Sequence, residues 1–372
     1  MTPNDSVAIG LRIAEARSRA DLTQTALAAQ VSIDRSALAK IESGTRRVSA
    51  LELARIASAV GERIEWFVLD TPAAILSHRN VTEPGAASPE IDKQVERVAW
   101  SVKFVTEHDE RLALAPQPPR EKPRTASETE VTAASARQLI GLDASEPCVD
   151  LSRRFAELGL LLFVFDLSRD TADAASLRLE HGGVAVVNGN LQVGRRRLAA
   201  MHEFGHYLFA DEYVTDWKVG ESDDESAWEG RLDRFARAVL LPSAGVEQVW
   251  STLRSEGDDL RAASVKVASR FRVDMSTLAR RLTELGLISH GEAHLTRQTR
   301  TTRADIVDFN LVVPHELESP HLPRVYEEAV LRLYRQETVS AARATDLLFD
   351  TWDEDELPKL PDLPESAVWN LV

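Results

Sequence analysis

Two histidines four residues apart, with a glutamate between them, constrain this chain of 372 residues more than anything else in it. The pentapeptide His202-Glu203-Phe204-Gly205-His206 makes chemical sense as a helix. Residues four apart then share a face, so both imidazoles can converge on one cation while Glu203 reaches a water beside it. The flanks agree: Leu198, Met201, Leu208 and Phe209 recur as in a buried helix, and no proline interrupts them. Such a helix must be covered on all sides, and its polar residues must be satisfied inside the fold.

Zinc hydrolase sites of this type take three protein ligands and leave a fourth position for water. The candidate third ligand is Glu229, which lies 229 − 206 = 23 residues after the second histidine. It opens a run in which Leu232, Phe235, Ala236, Val239 and Leu240 repeat at helical spacing up to Pro242. Glu229 and Asp233 are therefore one turn apart, and Asp233 can accept the outward N–H of a ligating histidine. The alternative is that Glu229 caps its own helix through Ser226-x-x-Glu229 while Asp233 is solvated. Glu221, Asp223, Asp224 and Glu225 are rival acids in a strongly acidic, solvated loop.

Residues from about 128 to 290 resemble the ImmA/IrrE family of bacterial zinc metallopeptidases. The resemblance rests on His202-Glu203-Phe204-Gly205-His206-Tyr207, on Glu229 to Pro242, and on Gly182 to Asn188 as the strand before the motif helix. It implies zinc ligands His202, His206 and Glu229, with Glu203 as general base in a gluzincin-like endopeptidase that is active or latent. Leu232 and Arg237 stand where the family usually has alanine, which predicts a reshaped cleft. Zinc would acidify water towards a pKa of ~7, with Glu203 passing the proton to the leaving amine. An oxyanion donor is also needed, and spacing does not choose among Tyr207, His181 and His290.

The N-terminal stretch carries different signals. Thr23 can cap a helix over Gln24 to Ala28; Ser32-Ile33-Asp34 turns the chain; Asp34 can cap a second helix that Gly44 stops. Ser49 and Glu52 form a capping box before Leu53, Ile56, Ala57 and Val60. Residues 8 to 70 resemble the Xre/Cro-like (lambda repressor-like) helix-turn-helix family through Thr23-Gln24, Leu27-Ala28, Ile33, Leu38, Ile41-Glu42 and Gly44. Ser32 occupies the turn where the family usually has glycine; at positive φ it costs roughly 1 kcal/mol. The resemblance implies a double-stranded DNA operator, with Arg35, Ser36 and Lys40 at base edges and nearby phosphates, and Gln24, Arg46 and Arg47 on the backbone.

Charge qualifies this reading. The net charge is −15, so phosphate neutralisation falls to Arg12, Arg17, Arg19, Lys40, Arg46 and Arg47. One module should bind weakly, and operators of this motif are usually read by dimers, so a homodimer is expected.

The fold class expected is mainly α with a small β-sheet (α+β). Residues 1–70 form a five-helix DNA-binding domain, 71–127 a linker with an amphipathic helix, 128–290 a zincin-like metallopeptidase domain, and 291–372 an accessory helical region with an acidic tail that shields the cleft. In the linker helix Ile91, Val95, Val98, Val102 and Val105 form a stripe for packing or for a dimer seam, and Pro116 to Pro123 read as a flexible boundary. The helix pair around Val273-Asp274 reads as structural cover. Cys148 is the single cysteine, which excludes an intramolecular disulfide. No segment reads as a signal peptide or a bilayer span, so a cytoplasmic protein without membrane contact is expected.

The function expected is a transcriptional regulator whose zinc endopeptidase domain cleaves a repressor-type protein, or the chain itself near residues 106 to 127, in stress response or mobile-element control. Two alternatives remain: a non-catalytic transcription factor using the domain as a sensor, and a toxin-like peptidase whose helical module docks a partner protein.

Overall fold

The computed structural model describes residues 3–20, 22–62, 64–68, 75–79, 89–115, 117–168, 171–210 and 223–360. The chain is mostly helical with one small sheet and divides into two units, Met1–Pro72 and Ala73–Val372.

The first unit holds α1 (Pro3–Arg19), α2 (Gln24–Gln30), α3 (Arg35–Glu42), α4 (Ala50–Val60) and α5 (Ile64–Val68). Their starts follow cap chemistry. The Thr23 hydroxyl accepts the Ala26 amide, and Ser49 with Glu52 closes a reciprocal box at the head of α4. Asp34 stands at the N-cap of α3 but makes no side-chain cap bond. Ser32 takes φ 59° in the turn between α2 and α3, the left-handed conformation for which glycine is the usual choice. Ile13, Leu27, Leu38, Ile41 and Ile56 bury their side chains in this unit's own core.

The second unit is built on a four-stranded sheet: β1 (Ile75–Arg79), β2 (Leu160–Phe165), β3 (Ala174–Arg178) and β4 (Gly183–Asn188). The order is β1-β3-β4-β2, with β1 and β4 antiparallel to β3 and β2 parallel to β4. Alternate residues face opposite sides. Leu160, Leu162, Val164, Ala174, Ala185 and Val187 enter one core; Leu161, Phe163, Ala175, Leu177, Val184 and Val186 enter the other. The helices are α6 (Pro89–His108), α7 (Ala126–Leu139), α8 (Leu151–Ala156), α9 (Val193–Phe209), α10 (Asp223–Leu240), α11 (Ser243–Ser255), α12 (Leu260–Phe271), α13 (Met275–Glu284), α14 (His290–Gln298), α15 (Arg303–Asp308), α16 (Arg324–Arg335) and α17 (Ala341–Leu347). Helices α7 to α13 share the first core, in which Phe271, Leu278 and Leu282 are buried, so the α12–α13 pair is structural cover.

Several expectations are corrected here. Within the stretch 71–127, expected as a linker, α6 is a packed element of the second unit, which is the packing alternative for its stripe. Ile91, Val95, Val98, Val102 and Val105 are each 0% exposed and fill the second core against β3 and β4. The stripe is thus consumed within the chain and cannot be a dimer seam. The described residues of the proline segment are fastened too: the Arg120 amide donates to Leu208 O at 3.0 Å, and its guanidinium donates to Ser135 Oγ at 2.8 Å. Within the region after 290, α16 and α17 cover the sheet. Tyr326, Val330, Leu333 and Phe349 complete the core opposite α9, with Phe163 stacked edge-on to Tyr326 at 5.3 Å and to Phe349 at 5.7 Å. Residues 361–372, including the tail prolines Pro361 and Pro364, lie outside the described residues.

If α6 is core, Val102→Ala destabilises the second unit by about 1–3 kcal/mol through lost burial and a residual cavity. Urea unfolding at two protein concentrations checks this: the midpoint shift is the same at both, whereas a dimer seam would make it concentration-dependent.

Candidate metal centre and nucleic-acid interface

Helix α9 is buried from Leu198 to Phe209 on every side. Ala210, at φ 44°, ends it in a left-handed cap. Its close approach to α10 depends on Gly205, where a Cβ would meet Leu232 Cδ2 at 2.9 Å and Phe235 Cδ1 at 3.2 Å. The leucine that departs from the family's alanine thus fills the space that Gly205 leaves.

Four sequence-predicted residues meet at this crossing. His202 Nε2 lies 3.1 Å from His206 Nε2 and 3.1 Å from Glu229 Oε2, while His206 Nε2 lies 3.6 Å from Glu229 Oε1. Asp233 accepts the Nδ1–H of His202 at 3.0 Å, which leaves Nε2 as the nitrogen turned to the cluster. Ligand atoms on a tetrahedral zinc with bonds of about 2.0–2.1 Å lie about 3.3 Å apart. The observed separations bracket that value, and one ligand atom from each of His202, His206 and Glu229 lies within 4.8 Å of the others. The donor set, two imidazoles and one carboxylate, suits zinc. Glu203 Oε1 is buried with no hydrogen-bond partner among the described residues, as a base turned toward a reacting water requires. Burial works against ionisation of Glu229, but the His202 hydrogen bond and the charges of His206 and His202 outweigh it, so its carboxyl titrates below its ordinary value.

Glu229 is seven positions into α10, so the reading in which it caps its own helix through Ser226 does not hold. Glu221 lies outside the described residues, and Asp223, Asp224 and Glu225 form the first turn of α10. Among the oxyanion candidates, Tyr207 is spent on Leu158 O at 2.8 Å, His181 is exposed in the β3–β4 turn, and His290 is exposed at the start of α14.

Two partners escape sequence reasoning. The Ser176 hydroxyl donates to Glu203 Oε2 at 2.6 Å, both groups buried. Ser176 is the one hydroxyl in β3, on the face shared with Ala174, and a hydroxyl among the small apolar residues of that strand is the signal that could have marked it. The second is an ion chain leading away from the centre. Arg237 lies 4.0 Å from Asp233 and 2.7 Å from Glu284; Arg281 lies 3.7 Å from Glu284 and pairs with Glu130 at 2.6 Å. The chain spans α10, α13 and α7. Arg237 thus stands behind the carboxylate that orients His202.

In the first unit, α3 buries Leu38 and Ile41 and leaves Arg35, Ser36 and Lys40 exposed on its other side, as is Arg47 beyond it. Two backbone-contact residues are engaged internally. Gln24 Nε2 donates to Glu42 at 2.8 Å, and Arg46 pairs with Glu52 at 2.7 Å. The cause is Glu42: only 8% exposed, it needs donors, and it also draws in Arg17 at 2.7 Å. Arg12 donates to Trp66 O at 3.2 Å and Arg19 pairs with Glu15 at 2.7 Å. Of the six basic residues expected to neutralise phosphate, Lys40 and Arg47 make no ion pair among the described residues, and Arg35 joins them. No helix among the described residues is long and apolar enough to cross a membrane.

Comparison with known proteins agrees with this division. Residues 13–67 match the helix-turn-helix family model, and residues 156–283 match the model of the IrrE N-terminal-like domain, a peptidase family. No curated protein matches the chain. A solved structure, Bacillus thuringiensis PlcR in complex with the peptide PapR7 and DNA, aligns with 92% of this chain and 91% of that chain at 12% identity, with a TM-score of 0.18, too low to carry any argument.

The ion chain sets a pH dependence. Burial raises the Glu130 carboxyl, but the Arg281 hydrogen bonds and charge, with Arg234 beyond, pull it below its ordinary value. Its stabilising contribution is therefore present above the unfolded carboxylate pKa, near 4.5, and is lost as pH falls through the lower folded value. Glu130→Gln removes this part of the acid sensitivity, as urea unfolding at pH 7 and at pH 4 will register. The chain thus joins a helix-turn-helix domain to an IrrE N-terminal-like domain of a peptidase family.

Proposed function

We propose that this protein is a DNA-binding regulator whose second unit is a zinc-dependent endopeptidase acting on a repressor-type protein or on its own chain. The observation that carries the reading is the buried crossing of α9 and α10, where His202, His206 and Glu229 converge with Glu203 alongside. His202, His206 and Glu229 would hold zinc, which when bound supplies Lewis-acid activation of water and of the scissile carbonyl. Glu203 takes the proton from the attacking water through Oε1 and delivers it to the leaving amine. Ser176 fixes the opposite oxygen, so the carboxylate keeps one orientation through both transfers. Asp233 keeps His202 in the tautomer whose Nε2 lone pair is left for a metal ion.

In the first unit, α3 is the reading helix. Arg35 and Ser36 sit in its first turn, the end that meets base edges in this motif, and Lys40 and Arg47 supply phosphate contacts. With so few unengaged cations, two copies on one operator are required for useful affinity, joined through a surface other than α6.

Zinc-loaded wild type cleaves itself or a repressor-type substrate, while Glu203→Gln binds zinc with the same stoichiometry and loses about 100-fold or more of the rate. Metal analysis with fragment mapping checks both. Unchanged regulation in Glu203→Gln together with altered regulation in His202→Ala would instead identify a sensor without turnover. For the DNA-binding half, Lys40→Ala weakens all DNA sequences about equally and lowers the salt slope of binding by about 1, whereas Arg35→Ala costs about 1–3 kcal/mol and relaxes sequence preference. Titrations at several salt concentrations on operator and random DNA separate the two; operator preference unaffected by Arg35→Ala would point to a helical module that docks protein.

A further inference from the structure

Elsewhere in the second unit, α11, α12, residues 146–149 and residues 309–312 border an open cavity of about 640 Å³. None of its lining residues belongs to the metal centre. Small organic ligands are held in cavities of roughly 300–1,000 Å³ with apolar walls and a few convergent polar groups. Val149, Val249, Leu253, Leu311 and Val312 supply such walls, and Lys266, Arg270, Arg272 and Glu146 supply the charge. Residues 146–149 and 309–312 lie beyond the span 156–283 that matches the peptidase-family model, so the matched domain alone does not form the cavity. The cations are not equally spent. Lys266 lies 2.7 Å from Asp258 and 4.8 Å from the centre of the Phe309 ring, which also lines the cavity. Arg270 is exposed and makes no ion pair among the described residues. The Arg272 side chain reaches only Glu316 among the described residues, at 3.4 Å, and that carboxylate already serves Arg197 and the Leu151 amide. Arg272 also stands in the left-handed region at φ 57°, ending α12 where glycine is the usual choice. A long cation kept in that conformation, with its donors mostly unspent, marks a place where a guanidinium is put to use.

We propose that this cavity is an effector site for a small organic monoanion with an apolar body, a medium-chain or aromatic carboxylate. Arg270 and Arg272 take the carboxylate, for which a planar guanidinium is the matched donor. The hydrocarbon lies between α11 and the Leu311–Val312 stretch. Two underused guanidinium groups against the one lining carboxylate, Glu146, leave room for a single negative charge, which disfavours phosphate esters carrying nearly two. The turn at Arg272 is also tied to α9. Its carbonyl accepts Arg197 Nε at 3.0 Å, and Arg197 holds the carbonyl of Cys148, which falls between the lining residues Pro147 and Val149. Beside it, a Cβ on Gly194 would collide with the Asp274 amide nitrogen, so α9 and the turn pack backbone to backbone. An anion that draws Arg272 toward itself therefore acts on the head of the helix that carries the histidines. The site stands whether or not the unit hydrolyses peptides.

The test uses the full chain with octanoate and salicylate as probes, read by titration calorimetry and hydrogen exchange. At least one of the two binds with one-to-one stoichiometry. Acetate, which lacks the apolar body, and octylammonium, which carries the opposite charge, bind about 10-fold or more weakly. Arg270→Gln, a change at an exposed position, weakens the bound probe by about 10-fold, and Arg270→Lys recovers part of the loss. The bound probe slows amide exchange at 309–313 and at 193–197, the head of α9, and leaves 91–105 on α6 unchanged. No binding by either probe, equal binding of octylammonium, or unchanged affinity in Arg270→Gln overturns the site. Protection that omits 309–313 overturns it too. Protection at 309–313 with none at 193–197 overturns the link to α9.

Discussion

Burying a helix that carries two imidazoles and a carboxylate is expensive unless every polar atom finds a partner, and that requirement organises the second unit. Asp233 answers His202, Ser176 answers one oxygen of Glu203, and Glu229 faces both histidines. Each answer comes from a different element. The registers of β3 and α10 against α9 are thereby tied to the polar contacts as well as to the apolar surface around them.

Three buried arginines perform similar work at the margins of the same core. Arg137 reaches Val239 O, Asp143 O and Glu146 O; Arg197, on α9 itself, reaches Arg272 O, Cys148 O and Glu316; Arg281 reaches Leu241 O and Glu130. A planar guanidinium with five donors can satisfy several stranded carbonyls at once, which lysine cannot. The loops and helix ends around α9 are stapled by these side chains where no regular ladder is available.

Local chemistry was legible in the sequence. Thr23, Ser49 with Glu52, and Gly44 mark their helix ends by atoms within reach of a few residues. The helical phase also placed Glu229 and Asp233 on one face of α10. Partner choice was not legible. The stripe on α6 says that its face needs cover, but not whether a second copy or a sheet supplies it; the sheet does. Gln24 and Arg46 look like phosphate contacts until buried Glu42 and capping Glu52 claim them. Ser176 and the Arg237–Glu284 pair follow from tertiary proximity alone.

Arg237 adds a consequence of its own. The carboxylate that steers His202 faces, through its other oxygen, the first link of a charge relay running to α7. Metal capture and global stability then share a reservoir of free energy. A chelator would loosen helices that never touch the ion, and weakening the distant pairs would let the ion go more easily.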